Sequence, residues 1–310
     1  MTATLPTGCY VMLHIGTGPS RIDDNSSSRL IVTDDRKRFE LSEEIWIERL
    51  DGQLAKHIQK ACEPPHYNIS HVEQDRHLYA FVRRVPEIEK TSHEGRAELF
   101  ATVALSRLIR PTSTGERYCT KVFHFGLPDS AIQAIQPRGM SVDVVLGRNP
   151  TDWLSVEDGE QLRKLMPWLS KDKPMQSRVH RAYWYHEYAM RSYYLDARWT
   201  LVVSGLEALI NVDEDHVTRQ FCGRGRQLAD EFQVDLTDQE LRHAYRLRSK
   251  LVHAETFLYG LETVPANSEH SNLYEKLELL LRATIRRCLL DEGFGNFFRD
   301  DAAVKARWPA

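Results

Sequence analysis

Thr237-Asp238-Gln239-Glu240-Leu241-Arg242-His243-Ala244-Tyr245-Arg246-Leu247-Arg248-Ser249-Lys250-Leu251-Val252-His253-Ala254 is the most informative stretch of the chain. Its first four residues spell a capping box, in which the Thr237 hydroxyl and the Glu240 carboxylate each satisfy an otherwise unpaired helix N–H. At ~100° per residue, Leu241, Ala244, Tyr245, Leu247, Leu251 and Val252 fall in one broad apolar sector. Arg242, Arg246, Ser249, Lys250 and His253 fall in the other. Arg248 breaks the pattern, because it projects into the middle of the apolar sector. A guanidinium there keeps its proton and must find a partner or a wet cleft, since an unpaired buried charge is costly. The neighbouring apolar run Trp199–Ile210 contains one ionised group, Glu207. A buried Glu207–Arg248 pair is the structural reading of this position.

Helical spacing extends in both directions from this segment. Runs at about Gln176–Asp196, Ala197–Asn211, Asp213–Phe232, Thr237–Glu255 and Asn272–Asp291 follow one another, with a marginal helix at Asn296–Arg307. Short connections of this kind favour antiparallel neighbours in a bundle. Upstream, Gly147–Pro150 and Pro167–Pro174 are turn-rich breaks around a helical Ser155–Met166. The first half mixes signals. Cys9–Gly16, His77–Val85, Tyr118–Phe125 and Ser141–Leu146 read as strands, and Ser42–Cys62 and His93–Ile109 as helices. The expected fold class is α+β overall: a mixed α/β domain over residues 1–150, then an all-helical domain over 151–310.

The 310 residues suit two modest domains, and the net charge of −3 argues against a wholesale nucleic-acid coat. Locally the balance differs: Arg242 to His253 holds four Lys or Arg and no acid. Such a run is either a solvated face or a track for RNA phosphates. The five scattered cysteines form no CxxC pair and read as reduced thiols in a cytoplasmic protein. No secretion signal opens the chain, and Trp199–Ile210 is far shorter than the ~20 residues of a membrane span. Cys62, His66, His71 and His77 fit no standard zinc spacing. Gly16-Thr17-Gly18-Pro19-Ser20 lacks the third glycine of a dinucleotide loop and reads as a plain loop. The glycines in Cys222-Gly223-Arg224-Gly225-Arg226 suggest a kink or break, or a basic turn beside a cleft. The aromatics Tyr183, Trp184, Tyr185, Tyr188, Tyr193, Tyr194 and Trp199 are either packed core or a stacking surface for bases.

Arg248-Ser249-Lys250-Leu251-Val252-His253 also fits an R-x(4–6)-H signature. The same pattern occurs at Arg117…His124, Arg181…His186 and Arg246…His253, but only the matches that end at His253, the Arg248 one among them, lie on a late, well-capped helix behind a helical hairpin. Upstream, Arg198-Trp199-Thr200-Leu201-Val202-Val203-Ser204-Gly205-Leu206-Glu207-Ala208-Leu209-Ile210 is an arginine-led apolar helix containing Leu-Glu-Ala-Leu. Together, in this order and over roughly Gln176–Asp291, the two segments resemble the HEPN superfamily and its Apea-like group. Many such proteins are metal-independent endoribonucleases that dimerise, so that two motifs line one cleft. The resemblance implies catalytic roles for His253, acting on the RNA 2′-hydroxyl or the leaving oxygen, and for Arg248, stabilising charge at phosphorus. Imidazole titrates near neutrality and a planar guanidinium matches phosphate geometry, so the assignment is chemically sound. Ser249, Glu207 and Arg246 would support them, and Arg242, Lys250, Arg224 and Arg226 would contact RNA. The expected partners are RNA and a second copy of the chain, with no metal, cofactor or membrane. Residues 1–150 would sense a trigger or restrain a nuclease of the defence or toxin kind. Ser249 departs from the amide or acid that often follows the arginine, and some relatives of this fold act as non-catalytic RNA- or nucleotide-binding or dimerisation modules. Positions five apart lie ~140° apart on a helix, so Arg248 and His253 do not share a face, whereas Arg246 and His253 do.

Overall fold

Strands Cys9–His14 (β1), Arg38–Glu40 (β2), Ile45–Arg49 (β3), Tyr79–Arg84 (β4), Thr114–Val122 (β5) and Ile132–Ala134 (β6) form one sheet. Its order is β2-β3-β4-β1-β5-β6, and every pairing is antiparallel. A computed structural model describes residues 9–14, 31–32, 36–50, 54, 79–84, 93–111, 114–122, 132–134, 154–169, 175, 177–192, 194–256, 258 and 269–310. The chain divides into two units, Met1–Leu169 and Ser170–Ala310.

The helix expected to open at Ser42 is instead the β2–β3 hairpin, with Phe39 opposite Ile47. Ile45, Trp46, Ile47 and Glu48 are all buried, a continuous run that suits a strand covered on both faces. The Ser42 hydroxyl accepts from the Glu44 and Ile45 amides, so it shapes the turn into β3 and caps no helix. Glu48 is buried and accepts from the Trp46 indole N–H at 2.7 Å, two residues along the same face. Burial raises its pKa. The expected strand Ser141–Leu146 lies outside the described residues.

Helix α1 (His93–Ile109) packs on β4, β1 and β5. Helix α2 (Val156–Leu165) belongs to this same unit, so the boundary falls after Leu169 and not after residue 150. The reason is packing. A Cβ at Gly159 would sit 2.5 Å from Ile31 Cδ1 and 2.8 Å from the Phe39 ring, which shows how closely α2 approaches the β2 strand. Asp158 completes the α2 capping box and also accepts from Arg110 Nε at 2.8 Å.

Among the described residues the second unit is entirely helical. Its elements are α3 (Ser177–Arg191), α4 (Leu195–Ile210), α5 (Val217–Glu231), α6 (Asp238–Val252), α7 (Glu269–Leu290), α8 (Glu292–Gly295), a 3₁₀ turn at Asn296–Phe298 and α9 (Asp301–Arg307). Helix α4 is central. Trp199 is fully buried and donates its indole N–H to Ala244 O at 3.1 Å, which joins α4 to α6. Gly205 lets α4 approach α7, since a Cβ there would lie 2.7 Å from Leu281 Cδ2. The Thr237/Glu240 capping box opens α6 as its sequence requires. Helix α5 runs unbroken through Gly223 and Gly225, so neither the expected break nor a basic turn forms there. A Cβ at Gly225 would meet Leu241 at an ordinary 3.4 Å.

The core of this unit carries ionised groups. His186 is fully buried, and its Nε2 lies 2.9 Å from Glu278 Oε1, which also accepts from Arg282 Nε at 2.8 Å. The Arg181…His186 pattern therefore ends on a core histidine. No described helix is long and apolar enough to cross a membrane.

Candidate functional site

Helices α3, α4 and α6, with the turn before α9, enclose a cleft of about 480 Å³. Four arginines line it (Arg178, Arg181, Arg248, Arg299), with two acids, Glu207 and Asp301. Asp301 is paired with Arg178, which also donates to Ala208 O at 3.1 Å and Asn211 O at 2.8 Å. Arg178 thus caps the carbonyl end of α4, where a cation suits the helix dipole. The remaining acid, Glu207, holds Arg248.

That pair is present, though half-buried where full burial was expected. Arg248 Nη2 lies 3.3 Å from Glu207 Oε2, with the two side chains 27% and 23% exposed. Nη2 also reaches Ser204 Oγ at 3.5 Å, the outer limit of a hydrogen bond, and Arg248 Nε is buried without a hydrogen-bond partner. Glu207 accepts in addition from Tyr245 Oη at 2.8 Å and Asn211 Nδ2 at 3.3 Å. Burial, and then the carboxylate it donates to, push the Tyr245 hydroxyl up to about 12. The phenol stays protonated and remains a donor. Arg248 therefore stands at the wet edge of the apolar sector, with one acid for a partner and an open cleft beside it.

The other expected residues occupy two further places. Arg242, Arg246, Lys250 and His253 lie on the exposed face of α6, with Ser249 half-buried between the two faces. Of these, Arg242 makes a long ion pair with Asp238, 3.8 Å apart and well exposed. His253 is the C-terminal cap of α6, its N–H donating to Ser249 O at 3.1 Å, and its side chain is exposed and outside the cleft. The apolar sector also narrows here, for Val252 is 54% exposed.

Arg224 and Arg226 depart from the sequence expectation. Arg224 is buried, donating from Nε to Trp308 O and from Nη1 to Ile210 O, both at 3.0 Å, and to Gln220. Burial lowers its pKa. It is a structural clasp for the C-terminal segment, since it donates to the backbone carbonyls of Trp308 and Ile210, which its loss would leave without that donor. Arg226 is tied to Asp230 at 2.8 Å and to Leu236 O, which leaves it a poor phosphate ligand.

A comparison with family models, curated proteins and solved structures finds no match. The cleft is thus read from its own chemistry. Sequence reasoning missed Arg178 and Arg299, and it met Arg181 and Tyr185 only in a discounted Arg…His pattern and an aromatic cluster. A signal for part of the set existed, because Ser177, Arg181 and Tyr185 recur at i, i+4 and i+8 on one face of α3. Arg299 left no such trace, as it is brought in by the fold of the C-terminal segment. Among the described residues, no cluster of His, Cys, Asp and Glu is arranged to hold a metal ion.

Proposed function

We propose that the helical unit is a metal-independent endoribonuclease of the HEPN type that acts as a homodimer. The observation that carries the reading is Arg248, set at the mouth of an arginine-lined cleft on the same helix whose exposed end bears His253. In the reaction the His253 imidazole takes the proton from an RNA 2′-hydroxyl, and the 2′-oxygen attacks the adjacent phosphorus. The P–O5′ bond breaks, the 5′-oxygen receives a proton, and a 2′,3′-cyclic phosphate remains. Arg248 bears the charge that builds on the phosphoryl oxygens. The ~140° between Arg248 and His253 keeps them apart within one chain, so a second copy completes the centre. Exposed Val252, beside His253, offers that copy an apolar contact. Arg242, Arg246 and Lys250 supply sequence-independent attraction for the RNA backbone. The first unit, in this reading, restrains the nuclease or responds to a trigger of a defence or toxin system.

The test is incubation of the purified chain with RNA in EDTA, followed by analysis of fragment ends. Cyclic phosphate termini are expected from the wild type. His253→Ala should lose cleavage by ~10²–10⁴-fold, the usual cost of a lost general acid or base. Its fold should be unchanged, because an exposed side chain leaves no cavity. Wild-type cleavage by His253→Ala, or a monomer by light scattering with cleavage intact, refutes the assignment. One observation favours a second reading, a non-catalytic RNA- or nucleotide-binding module: Glu207 already neutralises Arg248 and His253 faces away from the cleft. Binding without any cleavage would support it.

A further inference from the structure

The geometry points to a track for single-stranded RNA along α3, in which Arg181 and Arg299 seat backbone phosphate while Trp184 and Tyr188 stack bases. The inference deepens the ribonuclease reading by naming the form of its substrate, and it rests on that reading only for the identity of the polymer as RNA.

Three observations carry it. First, the cleft holds four guanidinium groups against two carboxylates, and the internal pairs Arg178–Asp301 and Arg248–Glu207 account for both acids. Arg181 and Arg299 are exposed, and among the described residues neither has an acid in ion-pair range. The cleft therefore has two surplus positive charges and no internal anion to meet them.

Second, α3 shows bare aromatic rings beside that cleft. Trp184 is 41% exposed and Tyr188 51%, an unusual state for large aromatics in a helix whose opposite face is core. They are not loose. Trp184 donates its indole N–H to His180 Nε2 at 2.8 Å, and Tyr183 meets it edge-on with ring centres 5.5 Å apart. The Tyr188 ring centre lies 5.7 Å from that of Trp184, with the planes tilted by 30°. Hydrogen bonding and packing thus hold two rings as a platform with their faces partly open.

Third, the two features are contiguous. Arg181 and Trp184 are three residues apart and Arg181 and Tyr188 seven, so on a helix of 3.6 residues per turn all three fall within about 60° of one another. A basic groove with aromatic rings alongside is the arrangement by which proteins hold single strands, because every base has a face to stack and every nucleotide a phosphate to neutralise. A duplex hides those base faces, so the rings would gain nothing from it. A folded protein partner would satisfy the rings but would need an acidic patch to match the surplus arginines.

The test uses the full-length chain and a fluorescein-labelled single-stranded oligouridylate carrying 2′-O-methyl groups, which cannot be cleaved by 2′-hydroxyl attack. Fluorescence anisotropy should show binding to the single strand and much weaker binding to a duplex of equal length. Trp184→Ala and Tyr188→Ala should each weaken single-strand binding by about five- to hundred-fold, and Trp184→Phe should recover most of the loss. Arg181→Ala should reduce the slope of log affinity against log salt by about 0.7, the loss of one phosphate contact on a single strand. Circular dichroism of each variant should match the wild type. Equal affinity for duplex and single strand, or unchanged affinity in both aromatic variants, overturns the track. So does a shift from dimer to monomer in Trp184→Ala with RNA affinity intact, which would make the face a protein interface. The two readings fail separately: a wild type that binds the probe but leaves natural RNA whole loses the nuclease and keeps the track. Cleavage that proceeds with aromatic variants of unaltered affinity does the reverse.

Discussion

Glu207→Gln keeps the shape of the side chain and removes its charge, so it isolates what the carboxylate does for Arg248 and Tyr245. If the pair were fully buried, stranding the arginine would cost ~3–5 kcal/mol. The structure sets a smaller figure. Coulomb attraction at the observed 3.3 Å runs from about 1 kcal/mol in a water-like medium to about 5 at an effective dielectric constant of 20. With roughly a quarter of each side chain in solvent (23% and 27%), screening and desolvation remove most of the upper value. A net coupling of ~1–2 kcal/mol remains. The Tyr245 hydrogen bond, at 2.8 Å to a charged acceptor, adds about 1 kcal/mol that the amide retains only in part.

The assay is a double-mutant cycle of Glu207→Gln and Arg248→Met, followed by urea unfolding with the helical transition read by circular dichroism. Glu207→Gln should cost ~2 kcal/mol, and the double mutant should lose less than the two single losses added together. Because the pair is part-exposed, the coupling should shrink in molar salt. Losses that add to within ~0.5 kcal/mol would mean that the two groups do not interact, and the account of the cleft would fail with them. The cycle has a functional arm too. Glu207→Gln frees Arg248, so if that arginine meets phosphate, the variant should bind RNA more tightly despite being less stable.

Glu278 should make the bundle acid-sensitive. Burial works to raise its pKa, but Arg282 and then His186 outweigh that and hold it at about 2, well below the ordinary 4.5. A depressed carboxylate contributes stability that is complete above 4.5 and is lost as pH falls from there through about 2. Glu278→Gln should thus cost ~3 kcal/mol at pH 7, with the gap to wild type closing over that acid window in urea unfolding. Arg224→Met should destabilise by ~3 kcal/mol, since Ile210 O and Trp308 O lose their donor, and should leave RNA affinity unchanged. Lys250→Ala should leave stability unchanged and weaken RNA binding, which separates the buried arginine from the basic face. Gly205→Ala should cost ~1–3 kcal/mol by thermal unfolding, because its Cβ would meet Leu281 Cδ2 at 2.7 Å.

Much of the helical unit was legible because its apolar periodicity is strong and its caps are local. The capping box at Thr237 needs only Glu240, three residues away. The Glu207–Arg248 pair was legible by elimination, since an arginine in an apolar sector needs an acid and the neighbouring run Trp199–Ile210 holds one. What escaped depends on residues distant in sequence. Arg224 reads as a basic surface residue until Trp308 O, from the end of the chain, arrives to accept a hydrogen bond from it. Residues 42–49 carry a plausible helix cap followed by apolar residues, and only strand partners at Phe39 and Phe81 settle the β-conformation of Ile47. The unit boundary was misplaced for a similar reason. Nothing local in Ser155–Met166 shows that Gly159 admits the Ile31 and Phe39 side chains from far earlier in the chain.

The ion pair gives a structural account of Arg248 at Nη2, where Glu207 and Ser204 meet it, but leaves Nε buried without a hydrogen-bond partner. That account stops at Arg181 and Arg299. Neither caps a helix or neutralises an acid among the described residues, yet both line the same cleft as Arg248. Packing does not call for them, because both side chains are exposed, and a cluster of like charges costs energy unless an anion visits it. The same holds for Trp184 and Tyr188, whose exposure forgoes the burial that large aromatic rings usually contribute. Two independent departures from what stability favours thus meet on one face of α3, within a few residues of an arginine that the folded chain already holds in place. A site that must accept a flexible, polyanionic chain with stackable bases would show these departures together, and a purely structural helix would show neither.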